Sequence, residues 1–318
     1  MLKRNRWNWA LVTLLLCGAP ACGSGSDLAT DDSAIGANDG GLLLDSSAIA
    51  ADSASAPDGT VSNGYSEPIC QLTDVTAISK NHSAAKLRET LVALAKARYP
   101  IAVAFIDAQK DAQLQAWFNN PGDFSHVIER FEVAVHEGCH LWGFANRKPG
   151  RYAYRLTEAL SFDLPNLQNF NRDQLVNVHK DVSHDFYAKT YLTGQSGAQD
   201  FTILLDEYNA YVHSLATRYC TRDLMPANRA TSAKDGILTF MYYVGAYLKL
   251  AREQYPDDYN EIIADAKHVE MILAIWDRAE FYLKLTENMP KLQIREQLIR
   301  GWTYAPEIVA EIDRLRKL

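Results

Sequence analysis

A chain of 318 residues, 47% hydrophobic and 22% charged, is long enough for one large domain or two closely packed lobes. Its formal charge of −7 gives no basic excess, which argues against a nucleic-acid surface. Setting aside three cationic residues near the start and seven aspartates in the segment that follows leaves −3 for residues 66–318, a nearly balanced remainder.

The first residues, MLKRNRWNWALVTLLLCGAPACG, place Lys3, Arg4 and Arg6 ahead of a short apolar run from Ala10 to Leu16. That run is too short to span a bilayer and reads as a secretory signal over residues 1–21. Ala19, Pro20 and Ala21 before Cys22, with Gly23 after it, resemble a bacterial lipobox. The resemblance implies export and a lipid on Cys22. By analogy with known sorting, Gly23 favours the outer membrane. Plain secretion with cleavage near Ala21 is the competing reading.

Residues 22–65 are dominated by Ala, Ser, Gly and Asp, and Tyr65 is their only aromatic residue. Such a stretch buries too little apolar surface to offset its ordering entropy, so a disordered tether is expected. Residues 66–318 contain Cys70, Cys139 and Cys220. An exported protein favours one disulfide and one buried thiol; Cys70–Cys220 is the preferred pair, because Cys139 falls inside a predicted helix.

In chain order, residues 82–100 carry Leu87, Leu91, Leu94 and Ala95 at helical spacing and stop at Pro100. Residues 101–107, IAVAFID, are short, apolar and partly β-branched, which predicts a strand. A short helix follows, ended by Asn-Pro-Gly. A long amphipathic helix is predicted from Ser125, as N-cap, to Phe144. Residues 152–165 read as strand or loop. Residues 172–192 and 201–220 read as helices, and the chain from Ile237 to Leu318 as helical with breaks near Pro256, Pro290 and Pro306. The class expected is α+β, mainly α, with a small sheet before the long helix and a helical C-terminal lobe.

That long helix contains FEVAVHEGCHLWGF. Four residues apart, His136 and His140 share one helix face and can aim two nitrogens at one cation. Glu137 is offset by one position, within reach of a metal-activated water without ligating the metal itself. The alternative is a pair of satisfied structural histidines. On a helix, the order H-E-x-x-H resembles the zincin metallopeptidase signature. Gly143 also matches the metzincin extension, but Asn146 stands where that pattern needs its third histidine. Gly143 then reads as ending or loosening the helix before Pro149-Gly150.

A glutamate from a later helix would instead resemble the gluzincin arrangement. In LLDEYNAYVHS, Glu207 follows an apolar stretch, and its E-x-x-A step to Ala210 resembles the third-ligand helix of several gluzincins. A buried carboxylate is costly unless paired or metal-bound. A capping or ion-paired role is the alternative for Glu207; His179 and His184 are alternative ligands. Tyr211, one turn beyond Glu207, can donate to an oxyanion, with Tyr208, His213, Tyr187 and His184 as competitors. Asp206 and Asn209 are both placed to orient a ligating histidine.

The resemblance implies a zincin-like domain over residues 66–318 with one Zn2+ on His136, His140 and Glu207. Glu137 would be the general base and Tyr211 a second catalytic group. The activity expected is that of a zinc metallopeptidase acting on a peptide or protein substrate at the cell envelope. By analogy with the class, the predicted strand at 101–107 would bind that substrate by strand addition. The rival is a non-catalytic surface lipoprotein, a binding module on the same scaffold.

Overall fold

The computed structural model describes residues 64–226 and 230–318. The expected signal segment, Cys22 and nearly all of the expected tether lie outside the described residues. Residues 64–75, without regular secondary structure, lead into α1 (Thr76–Asn81) and then α2 (Leu87–Arg98), which buries Leu87, Leu91, Leu94 and Ala95 as their spacing predicts.

The expected strand at 101–107 is a helix, α3 (Ala102–Asp107). A short apolar run does not by itself distinguish the two states, and here the burial decides. Ala102, Phe105 and Ile106 are buried, a helical i, i+3, i+4 set, and the helix packs on the long helix that follows α4 (Asp111–Trp117). The strand-addition surface goes with the strand.

That long helix, α5 (Phe124–Asn146), is capped by Asp123, whose Oδ1 accepts from the amide of Ser125 at 2.9 Å; Ser125 itself lies one residue inside. Gly138 permits close approach to α3, since a Cβ there would fall 2.4 Å from the carbonyl oxygen of Phe105. Gly143 does not end the helix. A Cβ there would meet the backbone oxygen of Ala153 at 2.9 Å, so the glycine admits a strand against α5.

The sheet therefore follows the long helix rather than preceding it. It is a two-stranded antiparallel hairpin, β1 (Arg151–Arg155) and β2 (Ser161–Pro165), with Ala153 opposite Asp163. Gly150, at φ +72°, makes the turn into it. Residues 172–192, expected as one helix, break into 3-10 turns at Arg172–Asn177 and Val182–His184 and a short α6 (Ala188–Tyr191). Val176, Val178 and a run of Asp, Asn and Ser favour local turns over helix, and Asp185 accepts from the amide of Tyr187 at 2.8 Å.

After α7 (Gly194–Gly197), α8 (Phe201–Cys220) spans the residues its pattern predicts, and all of them are buried. The C-terminal part comprises α9 (Ala233–Gln254), α10 (Pro256–Ala264), α11 (Ala266–Leu285), α12 (Glu296–Thr303) and α13 (Pro306–Leu315). Pro256 and Pro306 open helices and Pro290 opens a 3-10 turn, as expected. Helix α8 is the central rod, packed by α5, α9, α11 and β1. Cys70 pairs with Cys220, with Cα atoms 5.5 Å apart, and Cys139 is a buried free thiol, both as expected. The described residues are thus mainly helical with one small sheet. Among them no helix is long and apolar enough to cross a membrane.

Candidate metal centre

A helix buried on every side should be apolar all round, yet α8 carries Asp206, Glu207, Asn209, His213 and Ser214 in its interior. Buried polar groups must find partners, and these find theirs chiefly on α5 and β1. Asp206 Oδ2 accepts from Nδ1 of His140 at 2.6 Å and from the hydroxyl of Tyr152 on β1 at 2.9 Å. Ser214 donates to the carbonyl of Ala210 at 3.2 Å, so its oxygen lone pair accepts from Nδ1 of His136 at 3.1 Å. Both imidazoles are thereby held by Nδ1, and both Nε2 atoms turn toward one another, 3.2 Å apart.

Glu207 closes the triangle. Its Oε2 lies 3.5 Å from Nε2 of His140 and 3.8 Å from Nε2 of His136. That oxygen is buried and has no hydrogen-bond partner. Leaving a buried carboxylate oxygen without a hydrogen bond is costly, and two Nε2 atoms this close to each other and to it need a proton or a cation among them. A cation between the three atoms relieves both. Metal bonds of roughly 2.0–2.2 Å at a tetrahedral angle hold ligand atoms about 3.3 Å apart, close to the three separations here. Among the described residues, His136, His140 and Glu207 form the one group able to hold a metal ion in this way.

The electrostatics agree with the geometry. Burial, reinforced by the charge of His140, holds His136 down at about 3. Burial opposes a charge on His140 too, but Asp206 and Glu207 together push it well above the usual imidazole range. Glu207 is raised by burial and lowered more by His140, ending at about 2. Without a metal, one proton on His140 thus sits where a cation would. Glu137, half-buried beside them, is pushed up to about 7 by burial against the pull of His140. A divalent cation in the triangle would draw it back down.

The remaining candidates separate cleanly. Tyr211 lies at the centre: its ring stands edge-on to that of His136 with centroids 4.8 Å apart, and its hydroxyl meets that of Tyr191 at 2.8 Å. Tyr187 packs on Tyr211 at 5.8 Å, and its hydroxyl reaches the carbonyl of Ser232 at 3.3 Å. Tyr208 is buried, with its nearest charges on α11. His213 is held by Tyr99 at 2.5 Å and by the carbonyl of Arg155 at 2.8 Å. Asn209 donates to the thiol of Cys139 at 3.3 Å rather than to a histidine. His179 is paired with Asp185 at 3.1 Å, and His184 lies in the adjacent 3-10 turn; neither joins the triangle.

Sequence reading misses three contributors. Ser214 follows Glu207 by two helical turns on the same face, a spacing that would have found it. Tyr152 reaches Asp206 from β1, and no local pattern announces that contact. Arg172, wholly buried, lies 5.5 Å over the ring of Tyr191, has an unpartnered Nη1, and helps hold Glu207 ionised. In comparison with known proteins, no family model, no curated protein and no solved structure matches the chain.

Proposed function

We propose that the protein is a zinc-dependent peptidase with a gluzincin-type ligand set on a zincin-like domain, tethered to the outer membrane by a lipid on Cys22. The observation that carries this reading is the triangle of His136, His140 and Glu207, three buried atoms within 4 Å of one another, with Glu137 on the same turn of α5 as the two imidazoles. Two Nε2 atoms and one carboxylate oxygen are the donor set of a catalytic zinc site that keeps a position open.

Zinc bound there would polarise a peptide carbonyl and lower the pKa of water. Glu137 would take the proton of the attacking water and deliver it to the leaving amine, a task suited to a carboxylate poised near neutrality. Tyr211, steadied by Tyr191, would donate its hydroxyl to the carbonyl oxygen as negative charge develops there. Asp206 and Ser214 keep both imidazoles in the tautomer that presents Nε2.

The test is zinc stoichiometry on purified protein, followed by casein and gelatin hydrolysis with and without a chelator. One zinc per chain and chelator-sensitive cleavage are expected. A zinc-loaded protein that leaves both substrates intact would point to the binding-module reading instead. For the anchor, Cys22→Ser should move the protein out of the membrane fraction; a variant that still sediments with membranes overturns the lipid.

A further inference from the structure

Helix α9 presents two faces. Gly236 and Phe240 pack against Tyr211, toward the metal centre. By helical spacing, Tyr242, Ala246, Lys249 and Glu253 occupy the opposite side. There a cavity of about 250 Å3 lies between α9, α12, α13 and the chain around His179.

Its wall is aromatic. The His179 ring lies 4.7 Å from that of Tyr242 and stands edge-on to that of Trp302 at 4.8 Å. Trp302 donates its Nε1–H to Asp181 at 2.9 Å, which fixes the indole. His179 gives its Nε2–H to buried Asp185 at 3.1 Å, leaving Nδ1 as its other polar atom. The Asp185 carboxylate also accepts from the hydroxyl of Tyr243 at 2.5 Å and from the amide of Tyr187 at 2.8 Å, so it is held rigidly behind the ring. At the rim, Lys249 is matched by Glu253 at 2.9 Å. Of the charges that remain on the lining, Asp181 and Glu307 outweigh Lys180. Leu250 and Ile308 supply an apolar side.

Aromatic side chains, an imidazole held by a carboxylate, and a net negative rim form an environment that favours a cation with an apolar body. The geometry points to a second binding site, distinct from the metal centre, for a small organic cation: a primary or quaternary ammonium carried on an aromatic or aliphatic group. It requires nothing of the metal ligands and stands whether or not the protein is a peptidase.

Three probes of one shape and different charge test it by calorimetric titration of the full-length, zinc-equilibrated protein: phenethylammonium, neutral 2-phenylethanol and anionic 3-phenylpropionate. Phenethylammonium should bind at least roughly ten-fold more tightly than either of the others. Glu307→Lys, at an exposed position, should weaken ammonium binding while leaving zinc content unchanged. Trp302→Leu should abolish it, and if that variant does not fold, Glu307→Lys and the probe comparison decide. Equal affinity for the three probes, no ammonium binding at roughly 10 mM, or ammonium binding untouched by Glu307→Lys overturns the site.

Discussion

The Oδ2 atom of Asp206 lies 2.6 Å from Nδ1 of His140, and the Tyr152 hydroxyl donates to the same oxygen at 2.9 Å. One buried carboxylate thus ties α5, α8 and β1 together behind an imidazole of the candidate metal site. Asp206→Asn keeps the shape but offers a weaker acceptor, so metal affinity should fall roughly 10- to 100-fold. Tyr152→Phe should cost less, because the carboxylate keeps the imidazole. Competition against a calibrated chelator measures both; wild-type affinity in Asp206→Asn would remove its orienting role.

In the proposed mechanism Glu137 transfers protons and does not bind the metal. Glu137→Gln preserves volume and removes basicity, so zinc content should stay at the wild-type level. Hydrolysis should fall by about 10²- to 10⁴-fold or more. Wild-type turnover in this variant rules out the base.

Glu207→Ala deletes one corner of the triangle and should lose zinc and activity together. His179→Ala and His184→Ala should keep both, since neither residue reaches the triangle. The helices α5 and α8 pack through many other residues, so circular dichroism of Glu207→Ala should remain close to wild type. Zinc retained at wild-type affinity in this variant would remove Glu207 as the third ligand.

Metal binding should be linked to protons in a defined direction. Near neutral pH the metal-free site carries a proton on His140, raised by Asp206 and Glu207, while Glu207 is ionised. Zinc must displace that proton, so its affinity should rise with pH and weaken on acidification, with more than one proton released per ion bound near pH 7, one from His140 and a fraction from Glu137. Titration calorimetry in buffers of different ionisation enthalpy reads the number directly. Proton uptake on zinc binding would contradict the arrangement.

Asp200 caps α8, accepting from the amides of Thr202 at 3.0 Å and Ile203 at 3.4 Å, and burial pushes its carboxyl up to about 6. A carboxyl raised in the folded state favours folding below its unfolded value, near 4. That contribution disappears as pH rises through 6. Asn caps comparably without the charge, so Asp200→Asn should raise the melting temperature above pH 6 and lose its advantage near pH 4. The gain corresponds to at most about 3 kcal/mol. Asp200→Ala, which removes the cap, should destabilise throughout. Melting curves from pH 4 to 8 decide between these outcomes.

Local order was readable from the chain itself. The i, i+4 placement of His136 and His140, the offset of Glu137 and the span of α8 follow from helical periodicity, which a window of residues already contains. The same holds for the proline breaks after α9. Distance in the chain was a different matter: Glu207 could be singled out as a polar residue after an apolar run, but only the packing of α8 on α5 brings its oxygen within 4 Å of both imidazoles. Choosing Asp206 over Asn209 as the partner of His140 depended on the rotation of α8, which burial on all sides leaves unmarked in the pattern. Residues 101–107 show the limit most plainly, since an apolar heptamer suits strand or helix equally and the groove opened by Gly138 admitted the helix. The small sheet ended up after α5 because Gly150 and Gly143 allow the chain to turn and lie against it, a contact between segments that no local spacing encodes.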